Sequence, residues 1–195
     1  MTSAMTPQRI AGTFETCRPM QPSDVRCLAS HGVRPEVLHQ PDAPFRKGYV
    51  AWLAEKRFIF EAQLTGSHVK VGGERALLIL VIGFGGQPVD IAAWDPGSGR
   101  LATWLDKAWA LGQDMQFRLR CQPAEPLPIR RDALSWLKAD RHGLVLIRSR
   151  LATEHLRGAG PLLAEDVAHG RALKKELASP TPTILIPMPA AWSAS

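Results

Sequence analysis

The uninterrupted run Ala76-Leu77-Leu78-Ile79-Leu80-Val81-Ile82 constrains this chain more than any other feature. A membrane-spanning helix needs about 20 apolar residues, and this run stops well short of that. Its composition offers no polar face for water. Short runs of this kind between glycine pairs, here Gly72-Gly73 before and Gly85-Gly86 after, read as a central strand covered on both faces. Gly72-Gly73 supplies the positive φ angles of a tight hairpin after His68 to Val71. Gly85-Gly86-Gln87 turns the chain into Val89 to Trp94, and Pro96-Gly97-Ser98-Gly99 turns it again into Leu101 to Leu105. Three consecutive strands with short turns predict an antiparallel meander.

Upstream, Phe58, Phe60, Ala62 and Leu64 alternate with Arg57, Ile59, Glu61 and Gln63, the period of a half-buried strand. Tyr49 to Leu53 reads as a strand before it. Residues 1–21 lack a sustained period and read as a loose leader, with no apolar segment of the signal-peptide kind. A helix is expected from Pro22, capped by Ser23 and stopped by Gly32, followed by one turn over Pro35 to His39. Pro41 cuts that turn too short for the recognition helix of a helix-turn-helix, so the pair reads as a cap on the sheet.

Downstream the period changes. Helices are expected over Arg131–Asp140, Leu151–Leu156 and Ala164–Leu177, with a buried strand at Leu144–Ile147. The last helix is the longest; Val167, Leu173 and Leu177 form its inward side, and Lys174 and Lys175 complement its dipole. Beyond it Pro180, Pro182, Pro187 and Pro189 isolate the short β-prone run Ile184-Leu185-Ile186, which suits an edge of the chain's own sheet. The fold class expected is α+β: a mainly antiparallel sheet with a central β-meander, short helices, and one longer C-terminal helix packed on it. The expected organisation is a leader at 1–21, one globular domain at 22–178 and a Pro-rich tail at 179–195.

Cysteine and charge bound the function. Cys17, Cys27 and Cys121 are odd in number and widely spaced, which suits free thiols in a reducing, cytoplasmic setting rather than a disulfide framework. Cys17, Cys27, His31 and His39 are zinc-ligand types, but they lack the close first pair of most zinc modules, so no metal and no cofactor are expected. The 17 arginines against seven lysines suit the codon bias of a GC-rich bacterial or phage-derived genome. Of the net charge of +6, five units fall within residues 118–157. Arg130, Arg131, Lys138, Arg141, Arg148 and Arg150 are the candidate contact residues there, with Arg131 and Lys138 seven apart on one helical stripe.

Signatures of catalysis are weak. Ile82-Gly83-Phe84-Gly85-Gly86 follows a strand as a phosphate-binding loop does, but Pro88 and Val89 follow instead of a helix, so a hairpin turn is expected. Asp90 and Asp95 fall on opposite faces of their strand. Glu165, Asp166 and His169 share the first turn of the last helix and read as solvated. Six tryptophans are many for this length; Trp94 and Trp104 are expected to stack across neighbouring strands. The function expected is a small basic accessory or binding protein contacting nucleic acid or an acidic protein surface through the Arg-rich segment. The alternatives are an enzyme using Asp90, Asp95 and Arg100, and a structural subunit of a homo-oligomer.

Overall fold

In the computed structural model, residues 5–39, 45–61, 73–115, 125–157 and 159–178 are described. The central apolar run lies in β4 (Glu74–Ile82), which pairs antiparallel with β5 (Pro88–Trp94) on one side and with β2 (Phe45–Leu53) on the other. The next strand, β6 (Leu101–Thr103), continues the antiparallel series beside β5. The Gly83–Gln87 segment is a hairpin turn, closed by the Gly83 N–H on the Gln87 carbonyl at 2.9 Å.

The meander does not stay an open sheet. β3 (Arg57–Phe60) returns from β2 through a turn in which Glu55 and Lys56 both have positive φ, and it meets β6 in parallel at Arg57 and Thr103. The Thr103 N–H donates to the Lys56 carbonyl at 2.9 Å across that seam. Five strands in the order β2-β3-β6-β5-β4 thereby close back on β2 as a barrel, and β1 (Arg18–Pro19) adds to the flank of β2. Closure removes the sheet edges that an open meander would leave.

Alternation then explains both faces of β4. Ala76 and Leu78 point into the barrel with Val50, Phe58, Ile91, Ala93, Ala102 and Trp104. Leu77, Ile79 and Val81 point outward with Ala92 and Trp94 into a second core. That core is supplied by α2 (Pro22–Ser30), α3 (Pro35–Leu38), α4 (Ala133–Lys138) and a second sheet. Trp94 and Trp104 therefore face opposite ways and do not stack: Trp104 meets Phe60 edge-on inside the barrel, while Trp94 lies in the outer core.

The second sheet has the order β10-β8-β9-β7, from β7 (Ala110–Leu111), β8 (Leu127–Arg130), β9 (Leu144–Leu146) and β10 (Leu162–Leu163). The pairings β10–β8 and β8–β9 are parallel and only β7–β9 is antiparallel, so the molecule is mixed α+β rather than mainly one antiparallel meander. Its far face is covered by α5 (Ser149–His155) and α6 (Val167–Leu177), through Ala152, Leu156 and Leu173.

Several sequence expectations change here. The leader is not loose: α1 (Pro7–Glu15) plugs the barrel with Ile10 and Phe14, each 1% exposed. Burying two such side chains stabilises by roughly 3–6 kcal/mol, enough to hold a helix too short to form alone. At α2 the cap is Gln21 rather than Ser23, its N–H donating to Asp24 Oδ2 at 2.8 Å. α4 starts at Ala133, because Asp132 caps it by accepting the Ser135 N–H at 2.7 Å. On α6, Val167 is 72% exposed and His169 is buried instead, since the helix begins only at Val167 and turns that residue to solvent. The tail with Ile184 to Ile186, and Cys121, lie outside the described residues.

Candidate functional site

The two acids of the enzyme alternative are engaged structurally. Asp90 is fully buried on the outer side of β5. Its Oδ1 accepts the N–H groups of Ile91 at 2.8 Å and Leu105 at 2.9 Å; its Oδ2 accepts those of Lys107 at 2.8 Å and Ala108 at 3.0 Å. A carboxylate offers about four acceptor positions, and all are taken by backbone donors, three of which fasten the segment after β6. Asp95 accepts from the Ser98 hydroxyl at 2.5 Å and the Gly97 N–H at 2.9 Å, an Asx turn at the β5–β6 connection. The Ser98 hydrogen bond holds its carboxyl below the ordinary range, against a smaller opposing effect of burial.

Cys17, Cys27, His31 and His39 do not gather: among the described residues no three His, Cys, Asp or Glu side chains are placed to share a metal ion. His31 Nδ1 instead meets the Cys27 carbonyl at 2.8 Å at the end of α2. Cys17 and Cys27 are free thiols, and burial pushes that of Cys17 up. Asp166 caps α6 by accepting the His169 N–H at 2.7 Å, so this acidic first turn is a helix cap.

The six cations proposed from the sequence are distributed over different surroundings. Arg130 donates from Nε to the His142 carbonyl at 3.0 Å. Arg131, two residues before α4 rather than on it, pairs with Asp166 at 2.5 Å and lies 3.8 Å from Glu165. The stem of Lys138 lies beside Gly32, at the end of α2. Arg141 sits half-buried with a left-handed φ just after α4. Arg148 spans the seam between barrel and second sheet, pairing with Asp106 at 2.7 Å and donating to the Glu55 carbonyl. Arg150 is exposed on α5. The expected single stripe through Arg131 and Lys138 does not form, because the cap at Asp132 excludes Arg131 from the helix.

One of these residues, Arg131, borders a cleft of about 410 Å3 between the barrel and the second sheet. The β2–β3 hairpin supplies Trp52, Leu53 and Lys56; the β5–β6 turn supplies Arg100 and Leu101; the start of α4 and the end of β9 form the opposite wall. Its floor is apolar, and its ionisable lining is Lys56, Arg100 and Arg131 against Asp132 alone, whose carboxylate already caps α4. Arg100 is held in place: its guanidinium carbon lies 4.7 Å from the Trp52 ring centroid, and its Nη1 donates to Glu74 at 3.1 Å. The Trp52 Nε1–H is buried and has no acceptor among the described residues.

The sequence marks Trp52 only as one of six tryptophans and Arg100 only as a helper to acids, and it does not mark Lys56. The available signal was their position at the strand ends that share one barrel mouth, which becomes visible only once β2, β4 and the β5–β6 turn are paired. No family model, curated protein or solved structure matches this chain.

Proposed function

We propose that this chain is a binding protein without a catalytic centre, contacting an anionic partner, either nucleic acid or an acidic protein surface. The observation that carries the reading is the cleft, where three cations meet an apolar floor and the one carboxylate is committed to a helix cap. Acid–base chemistry needs a titratable group with spare hydrogen-bonding capacity in reach of a substrate. Asp90 has spent that capacity on four backbone donors.

The exposed pairs around the cleft do not oppose anion binding. Arg100 with Glu74 and Arg131 with Asp166 are each about half solvent-exposed, and pairs of that kind hold little free energy. A guanidinium has five donors, so an added anion can share it. Arg130, Lys138, Arg141, Arg148 and Arg150 extend the positive field of the same half of the chain, which steers an anionic partner at a distance.

The test is a titration at low salt of labelled single-stranded DNA, duplex DNA and a poly-glutamate peptide. At least one should bind more tightly than about 10 μM and weaken steeply as salt rises, since released counterions supply the affinity. Absence of binding to all three would overturn the reading.

A further inference from the structure

Resting on that reading, we infer that the cleft at the barrel mouth takes single-stranded nucleic acid, an unstacked base lying against the guanidinium of Arg100 and the neighbouring phosphates beside Lys56 and Arg131. Three observations lead there. The volume, about 410 Å3, lies in the range of pockets for small organic groups, roughly 300–1,000 Å3. A splayed-out nucleotide is such a group, whereas a duplex keeps its bases stacked and presents a phosphate ridge. The lining combines an apolar floor with cations, the pairing that tracks a backbone while sheltering bases. An acidic peptide would use the cations and leave that floor without a partner.

Arg100 itself is the third observation. Proteins stack unpaired bases on aromatic rings and on guanidinium planes. A free arginine side chain loses considerable rotamer entropy when it is fixed against a ligand. Here that cost is already met, because Trp52 supports the guanidinium on one side and Glu74 holds it at Nη1. The Arg100 side chain as a whole remains 46% exposed. Stacking reads no sequence, so the preference expected is for single strands over duplex without strong base specificity.

The experiment compares the intact protein with Arg100→Lys, Arg100→Ala and Lys56→Ala, using labelled dT20, rU20, a 20-base-pair duplex and poly-glutamate as probes at one low salt concentration. Arg100→Lys keeps the charge and removes the planar surface. The expected result is tighter binding of dT20 or rU20 than duplex, and a loss of about tenfold for single strands in both Arg100 variants. Arg100→Lys should retain the salt slope, while Lys56→Ala should flatten it by about one unit. All positions are surface side chains, and circular dichroism confirms folding of each variant. Equal binding of duplex and single strands, or single-strand affinity unchanged in Arg100→Lys, would overturn this inference while leaving the anionic-partner reading standing. Binding of poly-glutamate alone would do the same and identify an acidic protein as the partner. If no probe binds, both fail together.

Discussion

The barrel buries one carboxylate on backbone donors, whereas the charges around the second sheet, like the barrel's own Arg100–Glu74 pair, meet at the surface. On the barrel strand β5, Asp90 is fully buried on the outward side and is met by four backbone N–H groups from its own strand and the segment after β6. Around the second sheet, charges stay at the surface and meet in side-chain pairs: Arg34 with Asp140, and Arg131 with Asp166. Arg148 with Asp106 joins the two regions and is the more covered of these pairs, its arginine 19% exposed. Backbone donors are fixed by the fold and cost no side-chain entropy to orient, so Asp90 locks a loop into place. Exposed pairs must order two long side chains in a screened medium and return little. The difference separates a charge used for architecture from charges left available to a partner, and the cleft lies where the two regions meet.

Removing the buried carboxylate should have the largest effect. Asp90→Ala leaves four N–H groups without their acceptor, and a loss of roughly 3–5 kcal/mol is expected, the upper end for single substitutions. Thermal unfolding checks it, with a fall in midpoint on the order of 10 °C. A fall no larger than that of a surface substitution would erase the contrast between the regions.

The second sheet has its own sensitive point, in packing rather than charge. Gly143 has φ of +103°, and a Cβ there would stand 2.6 Å from the Pro128 carbonyl oxygen of the neighbouring strand. Gly143→Ala should therefore cost about 1–3 kcal/mol through strain and backbone displacement. Denaturant unfolding measures it, and an unchanged midpoint would mean that β8 and β9 separate more easily than their register implies.

The smallest effect sharpens the comparison from the exposed side. The hydrogen bond from Arg34 holds the Asp140 carboxyl below the ordinary carboxylate range. With a folded value lower than the unfolded one, the pair's contribution is present above about pH 4 and fades as pH falls through the folded value. In Arg34→Ala the Asp140 titration, followed by carboxyl carbon NMR, should move up towards the ordinary range, with the unfolding midpoint at pH 7 unchanged within error. A large stability loss at neutral pH would place this pair with Asp90 rather than apart from it.

The elements that could be read beforehand are those with a complete period inside one segment. Phe58 and Phe60 alternate with Arg57, and β3 forms there; α3 occupies the single turn expected after Pro35. The helix at Pro7–Glu15 is not legible locally, because Ile10 and Phe14 are only two apolar anchors in a polar stretch, and their value depends on an open barrel end that the local sequence does not display. β7, β8 and β10 are two to four residues long, too short for periodicity to register. For the candidate site, Arg131 was legible as a cation but not as part of a cleft, while Trp52 and Lys56 gave no local sign of a role.

By itself, the sequence determined that the central apolar run is a strand covered on both sides, and that glycine-rich turns follow it into further strands. Solvent partition and backbone sterics act on consecutive residues, so such information is local. Only the tertiary structure decided that the sheet closes, through the single parallel bridge between Arg57 and Thr103, and that parallel strands form a second sheet beside it. It also chose the partners of the charges: Arg34 meets an aspartate 106 positions away, and Arg100 meets a glutamate 26 positions away. Charge attraction acts through space with no sequence period, so those choices, and the cleft they border, exist only once the chain has closed on itself.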